Sequence, residues 1–297
     1  MSAIVDPTAP LTPSGNLRRR LFVNHLVSGA SILASFIAVA VLALVTYDVA
    51  KQGASALSWS FITKNPVGLA GGGIANAIIG STLIIIFATL IALPVGVLTA
   101  LYLTEYAKPR SRLARGLRTA LDLLQGVPTI VVGLFVFGLM VVGSGETGFA
   151  GSVALSIVML PLVARSSQEV LLLVPATLRE AADALGVERW RAVLTVVLPA
   201  AAGGIVTGAI LAVARAAGET APLLLVDSLA NPTQTQLLIF GHGVPNIPVL
   251  IYTASNLGIP EAQARAWGAA FVLLGLILIA NIGARLALAR YRARLGQ

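Results

Sequence analysis

Cysteine is absent from these 297 residues, and histidine occurs only as His25 and His242. The first absence excludes disulfides and thiolate metal sites, although it does not assign a redox compartment. Two histidines are too few for a metal cluster. Charge is scarce as well: Asp, Glu, Lys and Arg together make up 11% of the chain, against about a quarter in an ordinary soluble domain. No glycine-rich loop ending in Lys-Ser or Lys-Thr is present, so nothing here is built to cradle nucleotide phosphates and the chain is not expected to hydrolyse ATP.

Apolar residues fill 57% of the chain, and the mean hydropathy is +0.91. A spanning helix needs about 20 predominantly apolar residues to cross a hydrocarbon core of roughly 30 Å. Six segments meet that requirement: Leu26 to Thr46, Ile74 to Leu103, Leu123 to Val142, Phe149 to about Ser166, Ala200 to about Val226, and Ala266 to Ala284. The pattern predicts an all-α polytopic membrane bundle of six transmembrane helices. Residues 1–24 read as a cytoplasmic tail, disordered around Pro7, Pro10 and Pro13; 25–290 as one membrane domain; and 291–297 as a second cytoplasmic tail. A basic triplet before an apolar run also marks signal peptides, but their apolar regions are only about 7 to 15 residues long, and the first run here is longer.

The net charge of +8 is laid out asymmetrically. Arg18, Arg19 and Arg20 precede the first segment; Lys108, Arg110, Arg112, Arg115 and Arg118 follow the second; Arg179, Arg189 and Arg191 follow the fourth; Arg285, Arg290, Arg292 and Arg294 follow the sixth. The alternate loops hold only Lys51, Lys64 and Arg265. Positive flanks resist translocation, which places both termini and the basic loops in the cytoplasm. The basic residues form membrane flanks and no folded basic module, so nucleic acid is not an expected partner; membrane lipid is.

Between the fourth and fifth segments lies an insert that a passive membrane anchor does not need. Pro175 stops the preceding helix, Ala176 to Leu185 reads as a short helix, and Gly186 as its left-handed terminus. Val187 to Val197 reads as a second helix closed by Leu198-Pro199. Ala181 and Ala182 would let its backbone approach a partner, Gly186 would fix the turn, and Glu180 would cap or pair with a base across the contact. Such a knob, spanning 176–199, can transmit a push.

Glu180-Ala181-Ala182, the glycine at 186 and the distal Leu198-Pro199 resemble the EAA loop of ATP-binding-cassette importer permeases. A wider likeness covers nearly the whole membrane region. Tyr102 to Tyr106, Gly126-Val127-Pro128-Thr129-Ile130-Val131-Val132-Gly133-Leu134-Phe135, and Arg215-Ala216-Ala217-Gly218-Glu219-Thr220-Ala221-Pro222-Leu223-Leu224 resemble the PstA-type permeases of bacterial phosphate importers, except that Thr129 stands where serine is commoner. The resemblance implies a type I (MetI-like) importer permease fold in a bacterial inner membrane. It implies a homologous PstC-like permease, two PstB-like ATPases that bind the ATP, and a PstS-like phosphate-binding protein as partners, with no cofactor or metal held by this chain.

Arg215 and Glu219 lie within the fifth segment, four residues apart and so on one helical face. A charge at bilayer depth costs about 2.5 to 3.5 kcal/mol on insertion scales, so such residues normally face the bundle interior and have a role. A guanidinium stays protonated and offers a planar fork that matches phosphate oxygens. Arg215 is therefore expected to line a substrate path with Glu219 holding it in place and Thr220 as a further hydroxyl. Arg165, with Glu169 one turn later, is the second candidate, carrying equal weight as a neutralised packing pair. At 1.5 Å per residue Arg215 lies roughly 22 Å from the inner end of its segment. Asp48, Asp122, Glu146 and Asp227 read as solvated residues at span ends, and Gly133 and Gly138 as small residues permitting close helix approach.

Three rival readings remain open at this level. The insert is equally suited to a permease for sulfate, molybdate or an amino acid. A non-transporting scaffold subunit leaves the mid-membrane Arg215 and Glu219 without a purpose. An intramembrane hydrolase using Ser144 and His242 would need the two within hydrogen-bond reach, and both lie in external segments with no acid arranged for them.

Overall fold

The computed structural model describes residues 17–68, 71–108, 110–228 and 233–294. It divides into two units, residues 1–51 and 52–297. The first consists of most of α1 (Leu17–Ala54), which is helical from Leu17 onward, so residues 17–24 of the expected tail are helix; the proline-bearing remainder of that tail lies outside the described residues.

The second unit begins with α2 (Trp59–Thr63) and a minimal antiparallel pair, β1 (Pro66–Val67) and β2 (Gly71–Gly72). Then come α3 (Ala75–Leu101, continuing as a π-turn over Tyr102–Tyr106), α4 (Arg112–Gly126), α5 (Thr129–Val136, with a π-turn over Phe137–Val141) and α6 (Gly148–Leu172). The short α7 (Ala176–Ala184) and α8 (Arg189–Ala192) lead through a π-turn over Val193–Val197 into α9 (Leu198–Ala217). After these come α10 (Ala221–Val226), α11 (Ile247–Asn256) and α12 (Pro260–Arg294). Among the described residues, five helices are long and apolar enough to cross a membrane, or six if the bent pair α4 and α5 counts as one crossing. The multi-pass helical bundle expected from the sequence is what forms.

Helix α6 is the axis of the second unit. On one side it packs against α3, where a Cβ on Gly96 would come within 2.8 Å of Val163 Cγ1. On the other it packs against α9, where Gly204 faces Val170 and Gly208 faces Ser166. Lipid tails are as apolar as the helices, so burying apolar surface gives no reason to associate; close packing of small residues does. Ile84, Ala88, Ala92, Leu155, Met159, Val163, Ala212 and Ala216 form the shared core of these three helices.

Two expected spans are broken. The third, drawn as Leu123 to Val142, is two helices meeting at 105°. Val127 is extended (φ −71°, ψ 127°) because Pro128 clashes with a helical conformation in the residue before it, and Pro128 has no N–H to continue the ladder. The fifth, drawn as Ala200 to Val226, ends as a helix at Ala217 and restarts at Ala221, leaving Gly218-Glu219-Thr220 between. Conversely, the expected end of the insert at Leu198-Pro199 is not an end. One helical path runs from Arg189 to Ala217, and the wide π-turn before Pro199 accommodates a residue that cannot bond to the preceding turn.

Candidate functional site

The two breaks come together. Gly133 in α5 lies against Pro222 at the start of α10, with its would-be Cβ 2.7 Å from Pro222 Cα, so the two short helices touch backbone to backbone. Beside this contact is a cavity of about 290 Å³ lined by Gln125, Val127 and Thr129 at the α4–α5 break, by Val158, Pro161 and Leu162 of α6, and by Arg215. Arg215 occupies the last turn of α9, where helix carbonyls favour a cation. Its side chain is 57% exposed, open to that space, while Glu219, 18% exposed, sits with Oε1 3.7 Å from Arg215 Nε. The expected i, i+4 pairing of Arg215 and Glu219 is therefore present. It places the acid behind the guanidinium, inside the helix break rather than on a continuous helix. Thr220 lies at the entry to α10 and is half-buried.

The cavity has a second electropositive feature. Thr129 and Val127 put the N-terminus of α5 at its wall, and helix N-termini present donors and a positive partial charge to anions.

Arg165 is placed differently from expectation. It lies one turn along α6 from Pro161 and pairs with Asp122 of α4, not with Glu169, which is exposed. Its guanidinium also donates to Gln168 Oε1 at 3.3 Å and to the Arg118 carbonyl at 3.5 Å. Packing of α4 across α6 brings Asp122 over Arg165, whereas Glu169 points off that contact. Asp122 is thus an ion-pair partner and not a merely solvated span end. Asp122 and Arg165 tie α4 to α6, two helices that contribute walls of the cavity, but neither side chain lines it, so the structure does not bring Arg165 to the space that Arg215 faces.

Two further acids are also tied down. Glu146 accepts from the Ser228 backbone N–H and, at 3.2 Å, from its hydroxyl. Asp227, 1% exposed, accepts from Val244 N–H at 2.6 Å and from Asn246 Nδ2 at 3.3 Å. Burial pushes its carboxyl up from 3.8 to about 8; the hydrogen bonds oppose this and the nearby Glu146 carboxylate adds to it. Asn246 also caps α11 through Val249 N–H, and His242 uses its backbone carbonyl to accept from Gly148 N–H at the start of α6. Arg265, assigned to a loop, is instead in the first turns of α12, buried and donating to the Gly71 carbonyl at 3.1 Å.

The insert forms a knob at the far end of α6. Gly186 has φ +69°, and Gly186 N–H and Val187 N–H return to the carbonyls of Asp183 and Ala182 at 3.0 and 3.1 Å, closing the helix as expected. Glu180, Ala181 and Gly186 are on its exposed side, together with Leu185 and Trp190. Ala182 is buried, so its small size serves the knob's own packing rather than a partner's approach. Leu198 packs partly into the core beneath, and Pro199 is exposed along α9.

Sequence reasoning missed the connection under the knob. Glu105, in the π-turn that ends α3, has a side chain only 5% exposed and receives Arg179 of α7 in a forked contact, with Nη2 at 2.7 Å and Nε at 3.2 Å. The remaining guanidinium donors reach the carbonyls of Val174 at 2.8 Å and Leu171 at 3.0 Å. The available signal was an acid within the apolar run Tyr102 to Tyr106 and a base one residue before Glu180.

Residues 92–293 match the family model described as binding-protein-dependent transport system inner membrane component. The chain is 39% identical over 249 residues to the phosphate transport system permease protein PstA of Yersinia pestis, covering 83% of each. It is 38% identical over 271 residues to the PstA protein of Pasteurella multocida, covering 90% of this chain and 95% of that one. Among solved structures it resembles a chain of the inward-facing MetNI methionine ABC transporter, at TM-score 0.55 and 21% identity, covering 73% of this chain and 94% of that one, which is a likeness of fold.

Proposed function

The chain belongs to the family of binding-protein-dependent transport system inner membrane components; it is a permease subunit of an ATP-driven phosphate importer, and we propose that its phosphate path runs past Arg215. As such it works with permease and ATPase partners. We assign these as a homologous PstC-like permease, two PstB-like ATPases and a PstS-like phosphate-binding protein, in a bacterial inner membrane with both termini in the cytoplasm. ATP is bound by the ATPases, and this chain carries out no covalent chemistry of its own.

The observation that carries the path is Arg215, held by Glu219 in a break between helices, with its guanidinium open to a cavity that also receives the N-terminus of α5. A guanidinium fork and helix donors together suit an oxyanion, and the acid behind the fork keeps retention weak enough for release. Arg165, one turn along α6 from the cavity-lining Pro161, would serve a separate stretch of the path, and Thr220 would add a hydroxyl. Glu180, Ala181 and Gly186 on the exposed knob would seat on an ATPase. Closure of the ATPases would push the knob, and the rigid helix from Arg189 to Ala217 would deliver that push to the turn that carries Arg215.

The test is uptake of phosphate against sulfate by the reconstituted complex, with native chain and with Arg215→Gln. Losing a charged fork removes about 3 kcal/mol, a drop of roughly a hundredfold, so phosphate uptake should collapse while assembly persists. Normal uptake by Arg215→Gln would make that arginine structural, and preferential sulfate uptake would replace the cargo.

A further inference from the structure

Three elements surround the base of the knob, and only two are joined to it by short stretches of chain. Helix α6 runs into α7 through Leu173–Pro175, and α7 runs into the α8–α9 helix through Leu185–Glu188. Glu105, in the π-turn that ends α3, lies 74 residues before Arg179 in sequence, yet it is attached to the knob by the most fully coordinated charged pair in the described residues.

We propose that Glu105 and Arg179 form a strut that makes the knob and the inner end of α3 one rigid body, so that the ATPases drive α3 as well as α9. The role rests on the knob's coupling function proposed above. The geometry is that of a joint and not of a surface ion pair. Glu105 is buried, both of its oxygens face Nε of Arg179, and Nη2 makes a closer contact to one of them. Arg179 also takes up the carbonyls of Leu171, in the last turn of α6, and Val174, within the turn that leads into α7, and so restrains that hinge. A lysine has no fork and cannot make these contacts at once. At its opposite end α3 holds the outer loop: Ser81 Oγ accepts from Ile247 N–H at 2.8 Å, and Gly80 lies directly under the Pro245 carbonyl. A displacement of the strut therefore travels along one continuous helix to the outer face, on the side where cargo would arrive.

Because the chain has no cysteine, a Leu98→Cys/Thr177→Cys pair gives two unique spin labels, on exposed positions of α3 and α7. In the assembled transporter the label separation should stay constant between nucleotide-free and ATP-bound states to within about 1 Å, the scale of thermal motion. A separation that changes by several ångströms on ATP binding would overturn the strut using the intact pair, independently of how any charge variant folds. In Arg179→Gln the separation should become ATP-sensitive, and phosphate imported per ATP hydrolysed should fall at least roughly tenfold; Arg179→Lys should not rescue it, and an unchanged ratio in Arg179→Gln would count against the proposal. Failure of the coupling reading looks different: the ATPase is absent from the purified complex, or its removal leaves phosphate uptake unchanged, and either result takes the strut down with it.

Discussion

Gly133→Ala tests whether the contact between the two broken spans is as close as it looks. The added methyl would lie 2.7 Å from Pro222 Cα and 3.1 Å from its carbonyl oxygen, both backbone atoms that no rotamer change can move. Carbon pairs are comfortable at about 3.5 to 4.0 Å, so α5 and α10 must separate by roughly 1 Å. Forcing a methyl into a close-packed contact costs about 1 to 3 kcal/mol, offset by somewhat less than the 0.8 to 1 kcal/mol that alanine regains over glycine in a helix. The net expectation is destabilisation by about 1 kcal/mol, visible as a thermal midpoint a few degrees lower for the purified subunit in detergent. Thr129 and Val132 of α5 are close to or in the wall of the Arg215 cavity, so phosphate uptake should fall further than stability does. Gly138→Ala and Gly116→Ala are the controls, since a Cβ at either meets nothing within 4 Å. If Gly133→Ala matches those controls in both midpoint and uptake, the helices do not meet there and the site is wrongly assembled.

Gly186→Val places a β-branched residue at φ +69°, a conformation costing on the order of 1 to 3 kcal/mol; the knob should lose its shape, and the ATPase should fail to co-purify although the spans remain inserted. Glu180→Lys leaves the fold intact, because the side chain is exposed, but should reduce ATP-driven uptake; undiminished uptake would refute the coupling role of that face. For Asp227, a folded value near 8 against an ordinary 3.8 means that the folded protein holds a proton the unfolded chain releases. Stability is then fully present below about pH 4 and declines as pH rises towards 8, by on the order of 1 kcal/mol per pH unit. Thermal midpoints measured from pH 5 to pH 8.5 should fall in the native protein and flatten in Asp227→Asn, and identical slopes would show that the carboxyl does not titrate there.

The fold class and the knob were legible because each is written along one line of sequence: apolar run length, and a proline, an alanine pair and a glycine at fixed offsets. The breaks were not, although Pro128 and the Gly218–Pro222 stretch were visible, because hydropathy measures the cost of side chains in lipid and says nothing about whether the backbone continues. Partners distant in sequence were equally hidden. Arg165 seemed matched to Glu169 by helical spacing, but its partner is 43 residues away on α4. Glu105 carries no local sign of its partner in the stretch Tyr102 to Tyr106, and only the packing of α7 brings Arg179 to it. Asp227 sits where a span ends in sequence, and only the return of the loop through Val244 and Asn246 buries it.

The coincidence of the breaks bears on whether Arg215 is functional or structural. Within lipid, backbone polar groups released by a helix break are costly unless they are packed in protein or line a water-filled space. A charge pair that merely neutralised itself at a helix contact would need neither a break nor a cavity, and an unbroken fifth span could carry it at i, i+4 spacing at lower cost. Here Gly218 to Thr220 interrupts one span immediately after Arg215, Val127-Pro128 interrupts another, and the resulting short helices meet at Gly133 and Pro222. Two independent costs are incurred beside the same space, and one guanidinium opens into it. A path for an anion explains both breaks together, whereas a packing pair explains neither.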